Sequence, residues 1–260
     1  MASLVLLALY GLIVGISLGL TGGGGSILTV PLLVYLVGQP VHVAIPTSLV
    51  VVGATAFSGY ARRISQANSF DGIVVGLAGI FGAVPGRLFA QSFSGRTLLL
   101  LFAAIMLVAA VLMFRSKTYT SRTGPRPHWA LVIAVGVAIG FLTGFLGVGG
   151  GFLIVPGLVL LLGTSMEIAI PTSLLVIAIN CASALLGPLL LGQGSATIGA
   201  IDWRVALLFV AGGIVGALLG RAAASRLDQR MLKQVFAVFI FAIALFVVGS
   251  TTGVIPLAVK

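Results

Sequence analysis

Charge is scarce in this chain: Asp and Glu together number 4 among 260 residues, and only 7% of positions are charged. A water-soluble globule of this length needs far more polar surface, so lipid is the expected solvent. The four carboxylates, Asp71, Glu167, Asp202 and Asp228, are spread along the sequence and form no acid/base or metal-ligand cluster with His42 or His128. Enzymatic chemistry is therefore not expected, nor is a cofactor or a metal site. The single cysteine, Cys181, lies in an apolar run without a partner, which rules out a disulfide framework and a thiolate metal site. No P-loop lysine motif is present, so ATP hydrolysis by this chain is not expected. Segments alternating apolar and polar residues are also missing; stretches such as 98–114 and 236–248 are apolar on every face, which points to helices and away from a β-barrel. No Lys or Arg precedes the first apolar run, so residues 1–20 read as part of the mature protein rather than as a signal peptide.

What is abundant is apolar sequence, at 60% hydrophobic residues with a mean hydropathy of +1.27. A bilayer core about 30 Å thick needs roughly 20 apolar residues per crossing, which allows about seven to ten crossings with short loops. The net charge of +10 comes from Lys and Arg gathered in the gaps between apolar runs. Membrane orientation explains that placement, and nucleic acid is not an expected partner.

The chain repeats itself. Shifted by 125 positions, residues 15–59 align without a gap to 140–184 with 20 identities in 45 columns. Gly22, Gly24, Gly25 and Pro31 meet Gly147, Gly149, Gly150 and Pro156, and the hexapeptide 44–49 matches 169–174 in every residue. Farther on the offset becomes 134, so that Gly82-Ala-Val-Pro-Gly-Arg87 meets Gly216-Ala-Leu-Leu-Gly-Arg221. Two transmembrane repeats are expected, 1–115 and 129–260, joined by a basic cytoplasmic linker over 116–128.

Apolar helices are predicted at about 3–20, 27–38, 43–61, 72–88 and 97–114, and again at 129–146, 152–163, 168–190, 203–222 and 232–250. Segments 27–38 and 152–163 are too short for an easy crossing and either tilt through a thinned region or form re-entrant hairpins. Each unit then crosses an odd number of times. Putting the linker basic residues in the cytoplasm also puts Arg62, Arg63 and the 221–233 loop inside, with Arg87 and Arg96 outside. The expected fold is thus an all-α integral membrane protein of two inverted-topology repeats, with about 8–10 transmembrane or half-membrane helices. Such repeats recur in secondary transporters.

The glycine runs 21–26 and 147–151 break apolar helices and bare their backbone N–H groups, which is tolerated at membrane depth only under cover of protein or a watery cavity. Each precedes a short helix whose first amides and dipole favour an anion. A second pair of breaks is read at Pro46-Thr47-Ser48 and Pro171-Thr172-Ser173, with proline in the first turn and two hydroxyls beside it. The candidate substrate-binding residues are Gly22, Gly23, Gly24, Gly25, Ser26, Thr47, Ser48, Gly147, Gly149, Gly150, Gly151, Thr172, Ser173 and Asn180, the last matched by Thr55. Plain helix packing is the competing reading of the glycines, and local bonding to carbonyls that of the hydroxyls. His42 and Glu167, equivalent in the repeat, are candidates for proton coupling, with solvated helix ends as the alternative.

The doubled pattern Gly22 to Pro31 with Ala44 to Ser48, and Gly147 to Pro156 with Ala169 to Ser173, resembles the sulfite exporter TauE/SafE family over essentially the whole chain. The resemblance implies a multi-helix inner-membrane permease for sulfur-containing anions such as sulfite, sulfoacetate or thiosulfate. Similar members often carry Gly-Thr-Ser where this sequence has Ile-Pro-Thr-Ser, and the proline would stiffen that segment. A secondary transporter of a small sulfur anion working by alternating access is expected, with an anion channel, a carrier of another carboxylate or oxyanion, or a non-transporting scaffold as alternatives. Expected partners are a small anionic substrate and membrane lipid, and a homodimer remains open.

Overall fold

A computed structural model describes residues 4–90, 92–115, 128–146, 151–190 and 198–251. Residues 116–127 of the predicted linker 116–128 lie outside the described residues, as do Gly147, Gly149 and Gly150. The described chain is helical: α1 (Leu4–Thr21), α2 (Gly24–Pro31), α3 (Val41–Ala61), α4 (Ser69–Ala90), α5 (Gly95–Arg115), α6 (Trp129–Leu146), α7 (Gly151–Pro156), α8 (Met166–Leu190), α9 (Trp203–Ala224) and α10 (Gln229–Thr251). Seven of these, α1, α3, α4, α5, α8, α9 and α10, are long and apolar enough to cross a bilayer. The protein is a multi-pass membrane protein. Apart from their first and last turns, helices satisfy their backbone groups within one segment, which lipid demands.

The two short helices share a feature the periodicity did not announce. After Pro31 the chain widens into a π-helical turn over Leu32–Leu36, and after Pro156 it does the same over Gly157–Leu161. Beyond each turn an amide reaches back six residues, Gln39 N–H to the Leu33 carbonyl and Thr164 N–H to that of Leu158, both at 3.0 Å. Each turn follows a proline, which cannot donate to the ladder and so loosens it locally.

Two expectations need correction. The break after α1 is narrower than the run 21–26: only Gly22 and Gly23 are non-helical, and Gly24 and Gly25 already open α2. Thr21 makes this compact turn, its hydroxyl donating to the Ser17 carbonyl (2.6 Å) while accepting from Gly24 N–H (2.9 Å). Gly22 has φ +73°, a left-handed conformation that glycine adopts without strain. Likewise Pro46 and Pro171 do not mark breaks. Each is the sixth residue of a continuous helix, α3 or α8, rather than a first-turn residue. The full turn before each proline is held by flanking sequence, so one missing N–H does not end the helix.

Helix order in space crosses between the halves. The largest helix contacts are α1 with α9 and α4 with α6, so the first helix of each half lies on the fourth helix of the other. These contacts are glycine seams. A methyl group on Gly11, Gly15 or Gly19 would fall 2.0–2.4 Å from the carbonyl oxygen of Phe209, Gly213 or Ala217. The rising numbers on both sides mean that α1 and α9 run parallel. On the other seam, methyls on Gly82 and Gly86 would strike the carbonyls of Val137 and Phe141 at 2.1 and 2.2 Å, so α4 and α6 are also parallel. Glycine every fourth residue lets backbones touch, the packing that substitutes for a hydrophobic driving force in lipid.

At the centre α3 lies against α8, and α5 lies against α10. The α3–α8 pair is antiparallel, since Gly53 faces Cys181 while Gly59 faces Leu174. The main apolar core draws on both halves, from Leu18, Val52 and Met106 to Phe152, Leu174 and Phe236.

Candidate functional site

The starts of the two short helices meet. A methyl on Gly23, just ahead of α2, would sit 2.3 Å from the Gly151 carbonyl oxygen at the head of α7. In return a methyl on Gly151 would sit 2.4 Å from Ser26 Oγ. Gly22, Gly23, Gly24, Gly25 and Gly151 are all buried, and Ser26 is half-buried with its hydroxyl donated to the Gly23 carbonyl at 2.7 Å. Bringing two helix N-termini together concentrates partial positive charge, roughly half an elementary charge at each end.

A hydroxyl of the second half closes on this junction. Ser173 Oγ lies 2.8 Å from the Gly22 carbonyl and 2.7 Å from the Ile170 carbonyl, and its side chain is fully buried. Its repeat equivalent, Ser48, donates to the Ile45 carbonyl at 2.7 Å. Sequence reasoning placed the glycine run and the second hydroxyl pair in one site, and the structure brings Gly22 and Ser173 together. The position matching Gly22 in the second half, Gly147, lies outside the described residues.

The threonines do something different. Thr47 Oγ1 accepts the Asp202 N–H at 3.1 Å, and Thr172 Oγ1 accepts the Asn68 N–H at 3.0 Å. Asn68 and Asp202 are equivalent at the offset of 134, so the same tie is made twice, each from one half to the residue before the fourth helix of the other. Asp202 also caps α9 by accepting from Val205 N–H at 3.1 Å and takes a bond from Gln39 Nε2 at 3.0 Å. Asn68 Oδ1 in turn accepts from Asp71 N–H at 3.3 Å. Buried amides at helix starts need such partners.

Asn180 is half-buried in α8, with Oδ1 3.8 Å from the Cβ position of Gly79; its counterpart Thr55 presents Oγ1 2.6 Å from that of Gly213. The hydroxyls of Thr55 and Ser17 are buried with no hydrogen-bond partner. Ser17 Oγ lies 2.7 Å from the Cβ position of Gly24, beside the α1–α2 break. An unpaired buried hydroxyl carries an unmet desolvation cost of about 1–3 kcal/mol. His42 and Glu167 are exposed in the first turns of α3 and α8. Glu167 stands six residues, about 9 Å of helical rise, before Ser173.

Three features escaped sequence reasoning. The four-residue glycine spacing at 11, 15 and 19 and at 136, 140 and 144 was visible but was not read as a seam between halves. The capping pair Asn68 and Asp202 had only the 134-residue offset to reveal it. Arg63, charged and only 6% exposed, carried no signal separating it from its neighbour Arg62.

These observations define a polytopic helical membrane protein whose two related halves interlock where the short helices α2 and α7 meet, the class to which transporters with internal repeats belong. Comparison with known proteins gives the family. The family model for the sulfite exporter TauE/SafE matches residues 7–247. A "Probable membrane transporter protein" of Xylella fastidiosa (strain 9a5c) is 34% identical over 260 residues, covering 95% of both chains. The "Probable membrane transporter protein YunE" of Bacillus subtilis (strain 168) is 28% identical across 93% of this chain and 96% of its own. The "Probable membrane transporter protein MJ0441" of Methanocaldococcus jannaschii is 30% identical over 161 residues, about 60% of each chain. The chain belongs to the sulfite exporter TauE/SafE family of membrane transporters.

Proposed function

We propose that this protein is a secondary transporter that exports a small sulfur-containing anion, such as sulfite or an organosulfonate, across the cell inner membrane by alternating access. The observation carrying this reading is the meeting of the α2 and α7 starts, where Gly23 and Gly151 come into main-chain contact. Two positive dipole ends built from glycine and flanked by the Ser17, Thr21 and Ser26 hydroxyls suit a solute that brings negative charge and several acceptor oxygens. The run Gly22 to Ser26, its partner Gly147 to Gly151, and the Ser48, Ser173 and Asn180 side chains would form that site. The unpaired hydroxyl of Ser17, beside Gly24, adds a donor.

The mechanism follows from an inverted arrangement of the halves, which chain direction supports. At one end of the bundle Arg63 bonds the Gly19 carbonyl of α1 at 3.3 Å, and at the other Leu7 of α1 shares a cluster with Ala44 of α3, so α1 and α3 run the same way. The chain then turns within residues 62–68, where the Tyr60 and Ser69 hydroxyls meet at 2.9 Å, and α4 returns antiparallel to both. Since α6 runs parallel to α4, the first helix of the second half opposes the first helix of the first. Exchange of conformation between two such halves would open the site to alternate sides. With Gly22 to Gly25 and Gly151 buried, the arrangement described here corresponds to a closed state.

Reconstitution tests the reading. Proteoliposomes preloaded with unlabelled sulfite should accumulate labelled sulfite transiently above its equilibrium level, and Gly24→Leu, whose side chain would collide with Phe239, Ser17 and Thr21, should abolish this. Equilibration without any overshoot would identify a channel. No movement of sulfite, thiosulfate or sulfoacetate would refute the substrate class.

A further inference from the structure

Three arginines gather where α1, α3 and α9 end. Arg62, Arg63 and Arg221 line a small space together with Gly19, Ser58 and Gly59. It spans both halves, because Arg62 and Arg63 follow α3 while Arg221 stands in the last turn of α9. Arg63 is buried at 6% exposure, and its Nη2 donates to the Gly19 carbonyl at 3.3 Å. Arg221 Nη1 donates to the Arg62 carbonyl at 2.9 Å. Among the described residues no carboxylate pairs with any of the three.

Helix C-termini attract cations, and three of them converge here. Each supplies roughly −0.5 of an elementary charge, so three offset only about half of the three guanidinium charges. Burial, and secondarily the charge of Arg221, hold the Arg63 guanidinium down at about 10, below the usual arginine range. The surroundings therefore do not neutralise it, and a buried cation without a counter-ion is costly. A bound anion would supply the compensating charge. The space also adjoins the junction described above, since Gly19 is three residues before Gly22 on α1 and Leu174, which lines it too, follows Ser173.

We propose that Arg62, Arg63 and Arg221 form a binding station for a small oxyanion, at which the transported solute is collected before it reaches the glycine junction. This rests on the transporter reading given above. The excess of basic residues at this end places the station on the cytoplasmic side, as an exporter requires. The guanidinium fork matches sulfur or phosphorus oxyanions, which can accept two parallel bonds from one arginine. The space measures about 10 Å³, room for about one water. An oxyanion enters when exposed Arg62 and half-exposed Arg221 swing outward, while buried Arg63 stays as the fixed anchor.

The test is anion binding by the full-length purified protein in detergent, with sodium sulfite and sodium sulfate titrated against sodium chloride at matched ionic strength. Thermal melting and calorimetry report the binding. Wild type should show a saturable rise in Tm with the oxyanions and none with chloride. Arg63→Gln and Arg221→Gln should each weaken apparent affinity by about ten- to a hundred-fold, the loss of one charge-assisted contact. Arg87→Gln, the exposed repeat equivalent of Arg221, should bind as wild type. Arg221 is only half-buried, so Arg221→Gln alone serves if Arg63→Gln fails to fold. Wild-type affinity in Arg221→Gln, and in Arg63→Gln where it folds, or an equal response to chloride, overturns the station. If those variants also transport sulfite normally, the station is wrong and the transporter reading stands. A wild type that neither binds nor moves an oxyanion removes both.

Discussion

Gly15→Ala and Gly140→Ala test the glycine seams with a single methyl each. On the structure that methyl lies 2.0 Å from a main-chain oxygen in both cases, that of Gly213 for the α1–α9 seam and that of Gly79 for the α4–α6 seam. Ordinary contact begins near 3.4 Å, so each helix pair must part locally by 3.4 − 2.0 = 1.4 Å. Neither oxygen can yield, since both belong to helical backbone. Strain and lost dispersion contacts of this kind cost about 1–3 kcal/mol. For a chain of this size that amounts to a fall in Tm of roughly 2–12 °C. Thermal melting of the purified variants in one detergent measures it, with Gly199→Ala as the control, because a methyl there meets nothing within 4 Å. The two seam variants should lose nearly the same amount, as they perturb equivalent contacts. A seam variant that melts like wild type, or a large difference between the two, would refute close main-chain approach in that seam.

Thr47→Val and Thr172→Val each keep the shape of the side chain but strand the N–H of Asp202 or Asn68, which should cost about 1–3 kcal/mol of stability in each, read by the same melting assay. If valine is neutral at both sites, the cross-half ties are not formed. Arg63 gives a pH signature. Its pKa, lowered by burial to about 10, lies below that of an arginine in the unfolded chain, so below pH 10 both the folded and unfolded chains carry the charge and its burial cost is fully present. Between those values the folded chain releases the proton first and stability rises with pH. In anion-free buffer Arg63→Gln should therefore melt at or above wild type at pH 8, with the gap narrowing above pH 10; a gap independent of pH argues against the buried charge.

Much of this architecture can be read from residues alone, because long apolar runs leave few choices in lipid. The boundaries predicted for α1, α3, α6 and α9 lie within about two residues of those observed, set by the same polar gaps that carry the arginines. The repeat was legible because Gly22, Pro31 and the Ile45 to Ser48 motif recur in identical order. What each motif does was less so. Thr47 and Ser48 are adjacent and equally suited to a ligand by type, yet one accepts a main-chain N–H from the other half and the other bonds within its own turn. That division depends on where α9 begins in space, which no local pattern encodes. Prolines 46 and 171 misled for a related reason: a missing N–H breaks a helix only when flanking turns are weak, and those of α3 and α8 are not. The burial of Arg63 arises from the convergence of three helix ends distant in sequence.

The exchange of first helices between halves has a consequence for synthesis. While the chain is being made, α1 enters the membrane with its bare stripe at Gly11, Gly15 and Gly19 facing lipid, and its proper neighbour does not exist until residue 224 has left the ribosome. Neither half, made alone, can cover that stripe with its own sequence; only two copies docking crosswise can do so.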